Sequence, residues 1–290
     1  MTVHPIGVNT WVWVSPLTDD ALSRLVPRIS GWGFDVVELP MMSTTDWDPA
    51  YAADLLAAHG LGATVCAGLL PDHDLLTDDA EVLGRTGDFV RGCVRAAATV
   101  GARVVAGPLY SPAGRRWPLD SDGRRDALAR LVTRLRPLAG YAAEHGVTLA
   151  LEPLNRFDSS LLNTVAQTLE VVDGIDGLGI ALDTFHVNIE ERDVAAAFRA
   201  AGDRLVHVQV CANDRGTPGA DHFDWPAILG ALTDVGYAGP LCIESFTAAG
   251  LEVPMSVWRP LAASRDAVAV DGLSFLRALM TEDTSTIAVP

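Results

Sequence analysis

The chain contains no lysine. Its 290 residues include 21 basic side chains, and every one is an arginine. Schiff-base chemistry needs a lysine amine, so class I aldolases, transaldolases and pyridoxal-phosphate enzymes are excluded. Positive charge is scarce as well: 21 basic against 37 acidic residues leave a formal charge of −16. Nucleic-acid affinity comes mainly from neutralising phosphates, so this balance argues against a nucleic-acid partner. Although 49% of the residues are hydrophobic, no run approaches the roughly 20 apolar residues of a membrane helix. The N-terminal MTVHPIGVNTW lacks a basic region followed by an apolar core. That predicts a cytoplasmic protein with no membrane partner. Cysteines number only four, Cys66, Cys93, Cys211 and Cys242, without CxxC spacing; buried free thiols are the expectation.

What is present is a regular alternation. Short apolar runs at 6–12, 36–39, 63–67, 104–107, 148–152, 179–183, 205–210 and 241–245 read as strands. Longer amphipathic segments at 19–32, 49–59, 78–100, 122–145, 165–173, 194–200, 225–235 and 272–280 read as helices between them. Glycine-bearing turns such as GWGFD, AEHGVTL and DVGYAGP mark where a helix hands over to the next strand. Asp224 before Trp225-Pro226 reads as a helix N-cap with proline in the first turn. Eight such units predict an α/β protein, a single (β/α)8 TIM barrel over residues 1–280. Residues 281–290 read as a tail, either flexible or at a subunit contact of a homo-oligomer, dimer or tetramer. The long 108–121 segment can fold over one end of the barrel, and the 245–270 segment before the last helix is long too.

Four polar residues stand at the ends of successive apolar runs. They are Glu152 in TLALEPLNRF, Asp183 in GIALDTFH, Gln209 in LVHVQVCANDR and Glu244 in PLCIESF. Residues two apart share a strand face, so Glu152 pairs with Ala150, Asp183 with Ala181, Gln209 with His207 and Glu244 with Cys242. In each pair the polar residue lies nearer the C-terminal end, where barrel enzymes carry their active sites. An acid there often only caps the next helix; four in succession at one level point to a shared site. Three carboxylates and an amide would repel one another without a positive centre, and oxygen donors favour a hard divalent ion such as Mg2+ or Mn2+. Gln209 is the expected ligand and His207, one pleat deeper, is not. Glu152 and Glu244 come from different sides of the mouth, which suits removing a proton from one face of a substrate and returning it on the other.

Neighbouring groups fit the same mouth. His186 follows the sixth run, Arg215 the seventh, and Asn155, Arg156 and Asp158 the fifth; Arg156 can alternatively pair with Asp158 or Glu190. Trp11, Trp13, Trp117 and Phe246 are candidates for apolar walls against sugar C–H groups, with core packing the simpler role for Trp13. No glycine-rich loop follows the seventh or eighth run, which disfavours a phosphorylated substrate. A barrel nuclease would need more histidines and a basic surface.

The segments LEPLNRFDSSLLNT, LDTFHVNIEE, HVQVCANDRGTPGADHFDW and CIESF, with IGVNTW near the start and VWRPL near the end, resemble the xylose isomerase-like barrels. Within these, the chain is most similar to the D-tagatose/D-allulose 3-epimerase group of ketose 3-epimerases. The resemblance implies one divalent ion per subunit, Mn2+ first with Mg2+ or Co2+ as alternatives, held by Glu152, Asp183, the seventh-strand residue and Glu244. It further implies that Glu152 and Glu244 are the acid/base pair and that His186 and Arg215 contact the sugar. Asp158, Trp11 and Phe246 complete the expected substrate site. Two positions depart from the group. Gln209 stands where the epimerases usually have histidine and resembles the glutamine ligand of hydroxypyruvate isomerases. Asp158 stands where many epimerases have glutamate and reaches one methylene less. The expectation is a metal-dependent epimerase of a free ketose acting through an enediolate. The alternatives are a lyase cleaving a keto-sugar conjugate, in the manner of C-glycoside deglycosidases, a hydroxypyruvate isomerase-like aldose–ketose isomerase, and a non-catalytic sugar-binding barrel.

Overall fold

The computed structural model describes residues 3–246, 257 and 259–281. Eight strands, β1 (Ile6–Asn9), β2 (Val36–Met41), β3 (Gly62–Ala67), β4 (Val104–Gly107), β5 (Thr148–Leu151), β6 (Leu178–Asp183), β7 (Leu205–Val210) and β8 (Leu241–Ile243), form a closed barrel in sequence order. Every neighbouring pair is parallel, including β8 with β1. The helices around it are α1 (Asp19–Trp32), α2 (Pro49–Ala58), α3 (Ala80–Thr99), α4 (Ser121–Glu144), α5 (Val165–Val172), α6 (Thr184–Glu190), α7 (Val194–Ala201), α8 (Trp225–Asp234) and α9 (Arg265–Thr281). The (β/α)8 expectation is met.

Local chemistry explains the punctuation. Asp224 accepts from the backbone N–H of Ala227 at 3.0 Å and starts α8 as expected. Asp48 does the same for α2, accepting from Ala50 and Tyr51, with Pro49 in the first turn; such caps contribute about 1 kcal/mol each. Gly33 closes α1 at φ +93°, a backbone conformation that a side chain would strain. The inner face of α1 buries Leu22, Leu25, Val26 and Ile29, and full burial of each such side chain contributes about 1.5–3 kcal/mol.

Three elements differ from the sequence expectation. The first strand ends at Asn9 rather than residue 12, because the Asn9 side chain accepts from the Trp11 N–H and turns the chain into a short 3-10 helix, Thr10–Val12. Helix α6 was not expected; it is short, and Asp183 caps it by accepting from Phe185 N–H at 2.9 Å. Helix α9 starts at residue 265 rather than 272. Its polar first turn is held by tertiary contacts, Arg265 to the Trp13 carbonyl and Asp266 to both Arg28 and the Trp13 indole N–H.

The barrel interior is divided. On the β4–β6 side it is lined by the small side chains of Ala106, Ala150 and Ala181. On the other side Glu38, Thr64, His207 and Cys242 from β2, β3, β7 and β8 meet in a polar cluster. A register shift between Ile180 and Ala181 in the β6–β7 pairing aligns Ala181 with His207 and Asp183 with Gln209.

Candidate active site

Glu152, Asp183, Gln209 and Glu244 are all buried at the C-terminal ends of β5, β6, β7 and β8. Glu152 and Glu244 line one pocket together with Asp158, His186 and Arg215. Asp183 and Gln209 join it by direct contacts. Asp183 uses Oδ1 to cap α6 and Oδ2 to accept from Arg215. The same Arg215 nitrogen donates to Glu244 Oε2 at 3.1 Å. Gln209 Nε2 donates to Glu244 Oε1 at 2.7 Å. Gln209 Oε1 is buried and finds no hydrogen-bond partner among the described residues.

Arg215 is the one cation among these acids. Its guanidinium lies over the rings of Phe185 and Phe246, 4.2 and 4.9 Å from their centroids, a cation–π arrangement. Its backbone sits at φ +71°, uncommon for a residue with a side chain. The loop over-determines that conformation: Arg215 N–H donates to the Ala212 carbonyl and Ser245 Oγ donates to the Arg215 carbonyl at 2.7 Å. Burial works against the guanidinium's charge, but Asp183, Glu244 and Glu152 outweigh it and keep Arg215 protonated.

His186 is held by Asn155, whose backbone N–H and side-chain amide both donate to Nδ1, at 3.0 and 2.9 Å. The other ring nitrogen, Nε2, lies 2.9 Å from Arg215 Nη2 and 3.6 Å from Glu152 Oε1. Burial and the charge of Arg215, 2.9 Å from that nitrogen, push the His186 pKa down to about 3 and keep the ring neutral. Asp158 accepts from Asn155 Nδ2 at 2.7 Å, and burial raises its pKa.

The acids bear on whether a cation fits. Burial pushes Glu152 well above the usual carboxylate range, and the charge of Asp183 adds to it. Burial also raises Glu244, against Arg215 and with Asp183 and Glu152. These are the marks of negative charges assembled for something positive. With the orphaned Gln209 oxygen, the residues offer three carboxylates and an amide oxygen to a hard divalent ion, and the donor set fits one.

The rest of the expected site divides. Trp11 and Phe246 pack together at 5.3 Å between centroids and wall the pocket with Met42 and Leu69. The loop after β4 does reach over it: Ala113 lines the pocket, and Gly114 N–H donates to the Asp158 carbonyl at 2.6 Å. Arg156 is exposed and pairs with Glu190 at 2.9 Å. Trp13 is core, stacked on Trp32. Trp117 lies under Arg115 and does not line the pocket. His207 Nε2 donates to Glu38 at 2.5 Å instead of facing the mouth. The last nine residues of the expected tail, and residues 247–256 and 258 of the 245–270 segment, lie outside the described residues.

Two residues of the site went unforeseen, Asn9 and Glu38. Asn9 Nδ2 and Gln209 Nε2 each donate to Glu38 Oε2, at 2.8 and 2.9 Å, and each also contacts Glu244 Oε1. Burial pushes Glu38 up, but His207, Gln209 and Asn9 outweigh it and hold its pKa below the ordinary value. The signal was a carboxylate inside the apolar run VVELP, of the same kind as the four that were read.

A family model described as the xylose isomerase-like TIM barrel matches residues 26–279. The chain is 36% identical over 277 residues to the L-ribulose 3-epimerase of Mesorhizobium japonicum, covering 93% of this chain and 92% of that protein. It is 30% identical over 283 residues to a ketose 3-epimerase of Arthrobacter globiformis, covering 95% and 96%. A solved L-ribulose 3-epimerase superposes with a TM-score of 0.88 at 32% identity, over 99% of this chain and 100% of that one.

Proposed function

The chain belongs to the xylose isomerase-like TIM barrel family, and from that membership we propose that it is a divalent-metal-dependent epimerase of free ketoses. The observation that carries this reading is the pair of buried carboxylates, Glu152 and Glu244, brought from β5 and β8 to one pocket. The ketose 3-epimerases among its relatives support the same reaction.

The hydrogen on the carbon beside a ketose carbonyl is the acidic one, because its loss gives an enediolate. Glu152 takes or returns that proton on one face and Glu244 on the other, so the configuration inverts. Neutral His186 hydrogen-bonds a substrate hydroxyl through its ring. Arg215 carries a fixed positive charge beside the developing negative charge. Asp158 accepts from a hydroxyl, and Trp11 and Phe246 lie against the carbon chain and exclude water. Glu152, Asp183, the oxygen of Gln209 and Glu244 would hold the divalent ion. When bound, it would supply Lewis-acid stabilisation of the negative charge that develops on the substrate.

The all-oxygen donor set supports a hard ion such as Mg2+ or Mn2+, and of these we favour Mn2+, the ion that the resemblance to the ketose 3-epimerases implies. The four cysteines are free and buried, which supports a reducing compartment and hence a cytoplasmic enzyme. Phe157, next to Asp158 in sequence, is 64% exposed, a large apolar side chain that contact within a homo-oligomer would cover.

The test is incubation of metal-loaded protein with a panel of ketoses in D2O. Deuterium should appear at the carbon beside the carbonyl together with the second epimer. Absence of uptake from every ketose, with metal bound, sinks the proposal.

A further inference from the structure

A glutamine amide has two faces of nearly equal size. One is an oxygen that accepts, the other a nitrogen that donates twice, and only the oxygen can hold a metal ion. For Gln209 to be a ligand, something has to fix which face looks at the mouth. A histidine or carboxylate in its place would not raise that question.

The answer lies one pleat deeper. Glu38 is fully buried on β2 and receives four donors from three other strands. His207 Nε2 and Thr64 Oγ1 reach Oε1 at 2.5 and 3.3 Å; Asn9 Nδ2 and Gln209 Nε2 reach Oε2 at 2.8 and 2.9 Å. Two donors on each oxygen occupy the four acceptor positions of a carboxylate. Glu38 is thus an acceptor for its neighbours and not itself a ligand. Both hydrogens of Gln209 Nε2 are committed, one to Glu38 and one to Glu244 Oε1 at 2.7 Å. The amide has no choice but to leave Oε1 as its free acceptor, and Oε1 is the buried atom without a partner among the described residues.

We infer that Glu38 is a positioning residue of the metal site, accepting the Gln209 N–H and thereby presenting the Gln209 oxygen to the ion. This rests on the reading of Gln209 as a ligand.

Glu38→Gln keeps size and shape and changes one acceptor into a donor; that donor meets both Gln209 and Asn9, and the double variant with Gln209→Leu separates the two. The new amide can turn either way, and His207 decides which. His207 Nδ1 is buried without a partner among the described residues. Moving the ring proton there would strand a buried N–H, so Nε2 keeps its proton. The new amide must then give its oxygen to His207 and its NH2 to Gln209. Gln209 answers by flipping, and its own NH2 faces the ion.

The experiment is calorimetric titration of metal-free protein with Mn2+, with visible absorption of the Co2+ form, for wild type, Glu38→Gln, Gln209→Leu and the double variant. Glu38→Gln is expected to weaken Mn2+ binding about 10- to 100-fold, the usual cost of losing a residue that orients a ligand, and to alter the Co2+ spectrum. Gln209→Leu should cost at least as much. The double variant should match Gln209→Leu to within about twofold, since there is then no amide to orient. Unchanged affinity and spectrum in folded Glu38→Gln overturn the inference, and so do losses that multiply in the double variant. Unchanged affinity in Gln209→Leu overturns the ligand reading itself, a separate result. Circular dichroism of the metal-free proteins checks folding. If Glu38→Gln does not fold, Glu38→Asp keeps the charge, shortens its reach toward Gln209 by one methylene, and carries the same expectation.

Discussion

Glu152→Gln separates the acid/base role from the ligand role more cleanly than any other substitution at the mouth. Glu152 is buried, its side chain makes no hydrogen bond to a described residue, and His186 Nε2 stands at 3.6 Å, beyond a hydrogen bond. A glutamine of equal size therefore breaks no committed contact. Glu244 is different: its two oxygens receive Gln209, Asn9 and Arg215, so an amide there sets donor against donor. Glu152→Gln keeps an oxygen donor and leaves Asp183, Gln209 and Glu244 untouched, so Mn2+ should stay bound. What is lost is the base. A general base contributes about 10²–10⁴ in rate, which is roughly 3–5 kcal/mol of barrel-catalysed activation free energy. The assay is turnover at saturating ketose, with metal content measured on the same sample and deuterium exchange followed for each epimer separately. In the proposed mechanism each carboxylate serves one face, so the variant should still exchange the proton of one epimer while failing to interconvert the two. Near wild-type turnover with metal bound would refute the two-carboxylate mechanism and make a water molecule the base.

Exhaustive chelation should abolish activity and added Mn2+ restore it; turnover that survives chelation removes the metal from the reaction. His186→Ala should raise KM while leaving the metal content unchanged, since on the proposed mechanism the ring contacts substrate and not the ion; metal loss measured in that variant would mean the ring is a ligand. Arg215→Ala should lower the melting temperature of the metal-free protein, whose buried acids lose their counter-charge, and widen the gap between metal-free and metal-loaded melting; an unchanged gap would show that Arg215 does not neutralise the site. Gly107→Ala should destabilise the protein by more than about 1 kcal/mol, by strain at positive φ, because Gly107 has φ +134° and a Cβ there would lie 2.3 Å from the Ala67 carbonyl oxygen; an unchanged melting temperature would show that β3 and β4 have room to part.

The alternation of apolar runs and amphipathic segments was enough to expect the barrel, because strand and helix periodicities are local and each of the eight units repeats them. The level of Glu152, Asp183, Gln209 and Glu244 was legible for the same reason: the pleat ties a residue's face to its position in the strand. Absence of lysine disposed of whole reaction classes without any structure. Other features had no local signal. Asn9 ends β1 early through its own side chain, inside a run that otherwise reads as strand. Gln209 meets Glu38 across 171 residues of sequence, and Asn9 meets Glu244 across 235. Such contacts exist only once the barrel closes and β8 lies beside β1. Arg215 was expected at the mouth, but its place between Asp183 and Glu244 depends on a loop held at positive φ by Ser245 and Ala212. The sequence by itself thus determined which donors could reach a common site, since that follows from the pleat. Only the tertiary structure decided which way each donor faces, since that follows from partners far away in the chain.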